Sequence, residues 1–153
     1  MANPFPFTAG QVLTAAQMNG IGETVSFTPT WSGLTPGNGT VTFATYVRVQ
    51  NMVFVQVQFV LGSTSAVTGN ISFSAPTTAV TSPAQNQLGV VQFADASAAV
   101  GYMGTVSMSG SAIQLIPINA SGTYATLTNA SATVPFTWAT GDVIVMSSTY
   151  RAA

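Results

Sequence analysis

The chain has 153 residues, 47% of them hydrophobic, yet only 3% are charged, against roughly a quarter in ordinary globular proteins. Its acidic and basic side chains are Glu23, Arg48, Asp95, Asp142 and Arg151, with no lysine, histidine or cysteine. That inventory excludes an imidazole base and a Ser-His-Asp triad, a thiolate nucleophile, a disulfide or a thiolate metal site, and the basic stripe that nucleic acid requires. An enzyme is therefore the least expected class, and no cofactor or nucleic acid is expected as a partner.

Residues 1–23 read as an arm. Asn3-Pro4-Phe5-Pro6-Phe7 is stiffened by two prolines and cannot enter a helix. It has no basic start or continuous apolar core, so it is not expected to be a secretory signal. Thr14 followed by Gln17 has the spacing of a capping box, and Asn19-Gly20 is a helix stop. One short helix is expected there, too short to stand alone in water. An apolar arm with a marginal helix is explained if Phe5, Phe7, Val12, Leu13 and Met18 dock on another chain.

From Thr24 the hydrophobic period becomes two. Val41, Phe43, Thr45, Val47 and Val49 alternate with Thr42, Ala44, Tyr46 and Arg48. Beyond Gln50-Asn51, the series Val53, Val55, Val57, Phe59 and Leu61 alternates with Met52, Phe54, Gln56, Gln58 and Val60. This predicts a long hairpin with a tight turn near Asn51. Shorter strands are predicted over Thr24–Phe27, Ile71–Ser74, Leu88–Phe93, Val100–Met108, Ala112–Ile118, Thr133–Trp138 and Val143–Tyr150. Glycine, proline and asparagine turns separate them. Eight or nine strands and no second helix predict an all-β fold, an antiparallel β-sandwich or jelly roll over 24–153, preceded by the arm.

The longest apolar runs hold about four residues, far short of the roughly 18 that a spanning helix needs. An eight-stranded outer-membrane barrel fits the length, but five charges cannot furnish an ionic lumen. Membrane insertion is accordingly not expected. A surface of threonine, serine, asparagine and glutamine, almost without charge, is instead expected to be covered by partners. Met52–Leu61 and Val143–Tyr150 are apolar on both faces. The face carrying Phe54, Ile144, Met146 and Tyr150 is expected to lie outside the sandwich as an oligomer interface. Cyclic symmetry buries such a patch in every copy, so a homo-oligomer is the consequence, with a homotrimer as the expected form.

Asp95 and Asp142 could form a carboxylate dyad, but both sit at turns where an aspartate accepts from backbone N–H groups. No acidic cluster suits calcium. Gly20-Ile21-Gly22-Glu23 lacks the strand and lysine of a phosphate loop. Sequons at Asn38, Asn70, Asn119 and Asn129 mark turns more than glycans. Trp31, Trp138, Tyr102, Tyr124 and Tyr150 read as packing residues before they read as a sugar-stacking platform. Thr40/Thr42 and Thr126/Thr128 do not recur as an ice-binding face would. Arg48, lying within a strand, is expected to find an ion pair or carbonyl partners. Ser63–Asn70 and Thr77–Asn86 are expected as outward loops.

Phe7-Thr8-Ala9-Gly10-Gln11-Val12-Leu13-Thr14-Ala15-Ala16-Gln17-Met18-Asn19 resembles an N-terminal segment of small virion proteins of tailed bacteriophages. The stretches Trp31…Gly39-Thr40-Val41…Tyr46-Val47-Arg48-Val49-Gln50 and Pro135-Phe136-Thr137-Trp138-Ala139-Thr140-Gly141-Asp142-Val143-Ile144…Tyr150 are similar to the β-domains of such proteins. The resemblance implies a structural protein at the virion surface. The expected role is capsid decoration, with the arm on the major capsid protein and a trimeric β-domain projecting outward. The alternative it implies is a minor tail or tail-fibre protein, partnered by tail proteins and recognising a host surface glycan.

Overall fold

The computed structural model describes residues 9–12, 14–80 and 89–153. The described residues are nearly all β, with one short helix ahead of the strands, as the alternation predicts. Helix α1 spans Ala15–Asn19. The strands are β1 (Thr24–Ser26), β2 (Trp31–Thr35), β3 (Thr40–Val49), β4 (Met52–Val60), β5 (Ala66–Ser74), β6 (Gly89–Asp95), β7 (Val100–Ser109), β8 (Ala112–Asn119), β9 (Thr126–Leu127) and β10 (Val143–Arg151).

They form one antiparallel sheet in the order β1-β3-β4-β10-β6-β7-β8-β5-β2, with β9 paired to the end of β8. The sheet curls so that its ends face each other. Trp31 on the last strand packs its ring on Phe59 of β4 at 5.3 Å and on Phe73 of β5 at 5.0 Å. Phe27, just after β1, meets Tyr46 at 6.0 Å and Phe73 at 6.4 Å. A sheet apolar on its inner face has to bury that face against something, and here it buries it against its own far end. Val53, Val55, Val57 and Phe59 of β4 fill the interior, together with Val91 and Phe93 of β6 and Ile113 and Leu115 of β8.

The β3–β4 hairpin turns at Gln50-Asn51, where Gln50 takes the left-handed φ of 53°. Its less apolar side, Ala44 and Tyr46, faces the core, while Val41 and Val49 are exposed. A bulge between Val41 and Phe43 shifts the register against β4 and re-aims the side chains.

Three expectations need correction. Thr133–Trp138 is not a strand: only an isolated bridge, Ser131 to Val134, forms there. Pro135 has no N–H to give a ladder, which leaves the segment irregular. β2 escapes a period-two reading because Gly33, at φ 70°, sits where the register breaks, one residue of β2 facing the four residues Thr68, Gly69, Asn70 and Ile71 bulged out of β5. A Cβ at Gly33 would lie 2.0 Å from the Asn70 carbonyl oxygen, so only glycine fits where the two strands cross so closely. Ala66–Asn70, expected as loop, belongs to β5. Its Gly69-Asn70 pair looks like a turn in sequence because it lies within the bulge of β5, opposite Gly33.

Candidate functional site

The central strands β4, β10, β6 and β7 pair in a register that lines up their outward side chains in rows. Phe43, Gln58, Val145, Gln92 and Met103 form one row across five strands. Thr45, Gln56, Ser147, Val90 and Thr105 form the next, and Val47, Phe54 and Thr149 a third. No residue of these rows is charged. Phe54 is 49% exposed, Val90 57% and Met103 53%. Two shallow depressions mark the face. One of about 330 Å³ lies among Phe43, Val90, Met103 and Val145, and the other, of about 190 Å³, among Thr24, Val47 and Phe54. Covering half-exposed side chains of this size contributes roughly 1 kcal/mol each. Burial of glutamine and threonine among them costs little only if the covering surface supplies hydrogen bonds.

Of the four residues expected on an outward face, Phe54 alone is there. Ile144, Met146 and Tyr150 are core residues, at most 3% exposed. The reason is parity. In β10, Ile144, Met146, Ser148 and Tyr150 share the face that packs with Val53, Val55, Val57 and Phe59, and the outward residues are Val143, Val145, Ser147, Thr149 and, at the edge of the face beside Met52, Arg151. Tyr150 has a different task. Its hydroxyl accepts from Thr77 N (3.2 Å), donates to Thr77 O (3.0 Å) and lies 2.8 Å from Thr77 Oγ1, which fastens residues 77–80 along the end of β10. Burial pushes its phenol pKa above the ordinary value. The remaining outward residues, Val90, Met103, Val145 and Phe43, were not singled out by sequence reasoning. Alternation shows that two faces exist, but strands apolar on both carry no mark of which is inner.

In the arm, Thr14 and Gln17 form the expected capping box. Thr14 Oγ1 accepts from Gln17 N at 3.2 Å, and Gln17 Oε1 from Thr14 N at 3.0 Å. Val12 and Met18 are exposed. Phe5, Phe7 and Leu13 lie outside the described residues. The arm enters the sheet at the rim of the outer face, where Gly22 lies beside Val47 and Thr24 lines the same depression as Phe54.

Three of the charged residues, Asp142, Asp95 and Arg48, serve the scaffold. Asp142 is fully buried and accepts from Ala139 N (2.6 Å) and Ala96 N (3.0 Å), while its own carbonyl accepts from Leu61 N. Asp95 accepts from Ser97 Oγ (2.7 Å) and Ala98 N (2.9 Å), and these bonds hold its carboxyl below the usual carboxylate range. Arg48 takes the expected carbonyl contacts, from Nε to Gln50 O at 2.8 Å and from its other guanidinium arm to Ala153 O at 3.4 Å.

Of the expected loops, Ser63–Ser65 is a turn locked onto the β2–β3 turn. Asn38 Oδ1 accepts from Thr64 N and Oγ1, both at 2.9 Å, and Asn38 Nδ2 donates to Ser63 Oγ at 3.0 Å. Residues 81–86 of the other loop lie outside the described residues. No helix among the described residues is long and apolar enough to cross a membrane. No family model, no curated protein and no solved structure matches the chain.

Proposed function

We propose that this chain is a non-enzymatic structural protein of a tailed-bacteriophage virion, a decoration protein that binds the capsid shell through its N-terminal arm. Copies associate into a homotrimer through the outer sheet face. The observation that carries the reading is the outer face itself: three rows of outward residues without a charge, with Phe54, Val90 and Met103 half exposed. Large exposed apolar side chains set among polar ones are a mark of protein interaction surfaces, and charge is what usually keeps an uncovered surface dispersed. The exposed Val12 and Met18 in a chain segment that meets this rim support an arm that reaches a neighbour. Many weak contacts become firm attachment when one trimer presents several arms to a repeating shell.

Quantitative mass spectrometry of purified particles tests the reading. About one copy per capsid subunit is the decoration outcome, and about one per hundred places the chain on the tail instead. Absence from particles refutes both. Deleting residues 2–20 removes attachment while leaving a folded trimer. A truncated chain that still decorates particles refutes the arm as anchor. Val90→Glu puts a charge in the middle of the outer face and is expected to give a folded monomer by light scattering.

A further inference from the structure

A third concavity, of about 470 Å³, opens where β7, the end of β8 and the 128–135 segment meet. Its size falls within the roughly 300–1,000 Å³ typical of small-ligand pockets. Its lining combines the apolar Tyr102, Ile118, Val134 and Pro135 with the polar Asn119, Ser121 and Thr128. None is charged. Tyr102 and Met103 are successive residues of β7, so the pocket and the outer face use opposite sides of that strand.

The ring of Tyr102 is held from behind. It packs on Phe136 at 5.1 Å, Phe136 packs on Trp138 at 4.5 Å, and Trp138 meets the buried Phe93 edge-on at 5.8 Å. Trp138 Nε1 is tied to Ser131 O at 2.9 Å. The polar lining is held too. Asn119 Oδ1 accepts from Ser121 N (2.9 Å) and Ser121 Oγ (2.7 Å), which leaves the Asn119 Nδ2 group as a donor. In the loop that follows Ser121, Tyr124 is 81% exposed. An aromatic ring left that open on a short polar loop gains most from a partner that stacks on it.

We propose that this pocket binds a neutral saccharide, one pyranose ring stacking on Tyr102 and its hydroxyls meeting Asn119, Ser121 and Thr128. A sugar ring has an apolar C–H face and an uncharged rim of donors and acceptors, which is the chemistry these walls complement. A phosphate or carboxylate ligand finds no countercharge here, and a purely apolar ligand leaves the Asn119 amide without a partner. The site does not depend on whether the chain sits on head or tail, and its failure leaves the outer-face reading untouched.

The test uses the full chain and a panel of neutral hexose and N-acetylhexosamine oligosaccharides. Binding is followed by saturation-transfer NMR and by tryptophan fluorescence in a Trp31→Phe background, which leaves the signal of Trp138, the tryptophan that shares the ring stack with Tyr102. At least one saccharide is expected to saturate. Tyr102→Ala and Asn119→Ala are each expected to weaken it about tenfold, with Tyr102→Phe close to the parent. Asn119 is exposed and its substitution leaves the ring stack intact, so that variant decides if Tyr102→Ala fails to fold. No saturable binding across the panel overturns the proposal, as does an Asn119→Ala variant that binds like the parent. Tighter binding of a glucuronate-containing sugar than of its neutral counterpart also overturns it.

Discussion

Asp142 carries the most telling single perturbation, because it is a fully buried charge whose only visible purpose is to hold the chain. Its carboxylate receives two backbone N–H groups, from Ala139 at 2.6 Å and Ala96 at 3.0 Å, and so joins the β6–β7 turn to the turn before β10. A hydrogen bond to a charged acceptor is worth roughly 1.5–3 kcal/mol, and stranding its donor costs about as much. Ala96 and Ala139 are themselves exposed residues, so water replaces part of the loss. Asp142→Ala is therefore expected to destabilise the fold by about 3 kcal/mol. Asp142→Asn keeps the shape and one acceptor but turns an NH₂ group toward the second N–H, and about 2 kcal/mol is expected. Urea unfolding at fixed protein concentration, followed by the near-ultraviolet circular dichroism of the packed aromatic rings, reads both. With a slope of about 2 kcal/mol per molar urea, the alanine variant should unfold roughly 1.5 M earlier. A shift below about 0.3 M for Asp142→Ala would refute the view of Asp142 as a structural clamp.

Removing the Tyr150 hydroxyl leaves partly buried Thr77 groups without their partner, and Tyr150→Phe is expected to cost about 1–2 kcal/mol in the same assay. The folded state holds the Tyr150 proton more tightly than the unfolded chain does, so its contribution is complete below the ordinary value of 10.0 and is lost as pH rises from there through the raised pKa. Tyr150→Phe should make stability fall less steeply above pH 10 than in the parent, and equal slopes would argue against it. Ser148 Oγ is buried with no hydrogen-bond partner among the described residues, so Ser148→Ala is expected to stabilise the protein by about 1 kcal/mol. A loss of stability there would point to a partner the geometry misses. Gly33→Ala drives a Cβ into the Asn70 carbonyl at a φ of 70° and is expected to cost more than about 2 kcal/mol. A thermal melt unchanged from the parent would rule out the close crossing of β2 and β5.

Much of the scaffold is legible along the chain because its causes are local. Period-two alternation marks β3, β4, β7, β8 and β10 to within a residue or two, and the Thr14–Gln17 box marks α1. Backbone N–H groups near Asp142 and Asp95 need acceptors, and aspartates at turns supply them wherever the strands lie. Local rules fail where two segments meet. Gly33 and Gly69-Asn70 look like punctuation in sequence and lie at one bulge inside paired strands. Pro135 turns an apolar stretch away from the sheet.

The sidedness of the sheet is a different matter. In β10 both sets of alternate residues are apolar enough to be buried, so composition assigns neither to the interior. Pairing with β4 decides it, by placing Met146 opposite Val57 and Tyr150 opposite Val53 on the side that curls inward. The same pairing turns Val145 outward into a row with Phe43 and Met103. The Tyr102 pocket likewise exists only because residues 128–138 fold back against β7, through ring contacts between residues more than 30 apart in the chain. Alternation is a property of one strand and is written in its residues. Which side becomes the core is a property of strand pairing and curl, and those are set by contacts between segments distant in sequence.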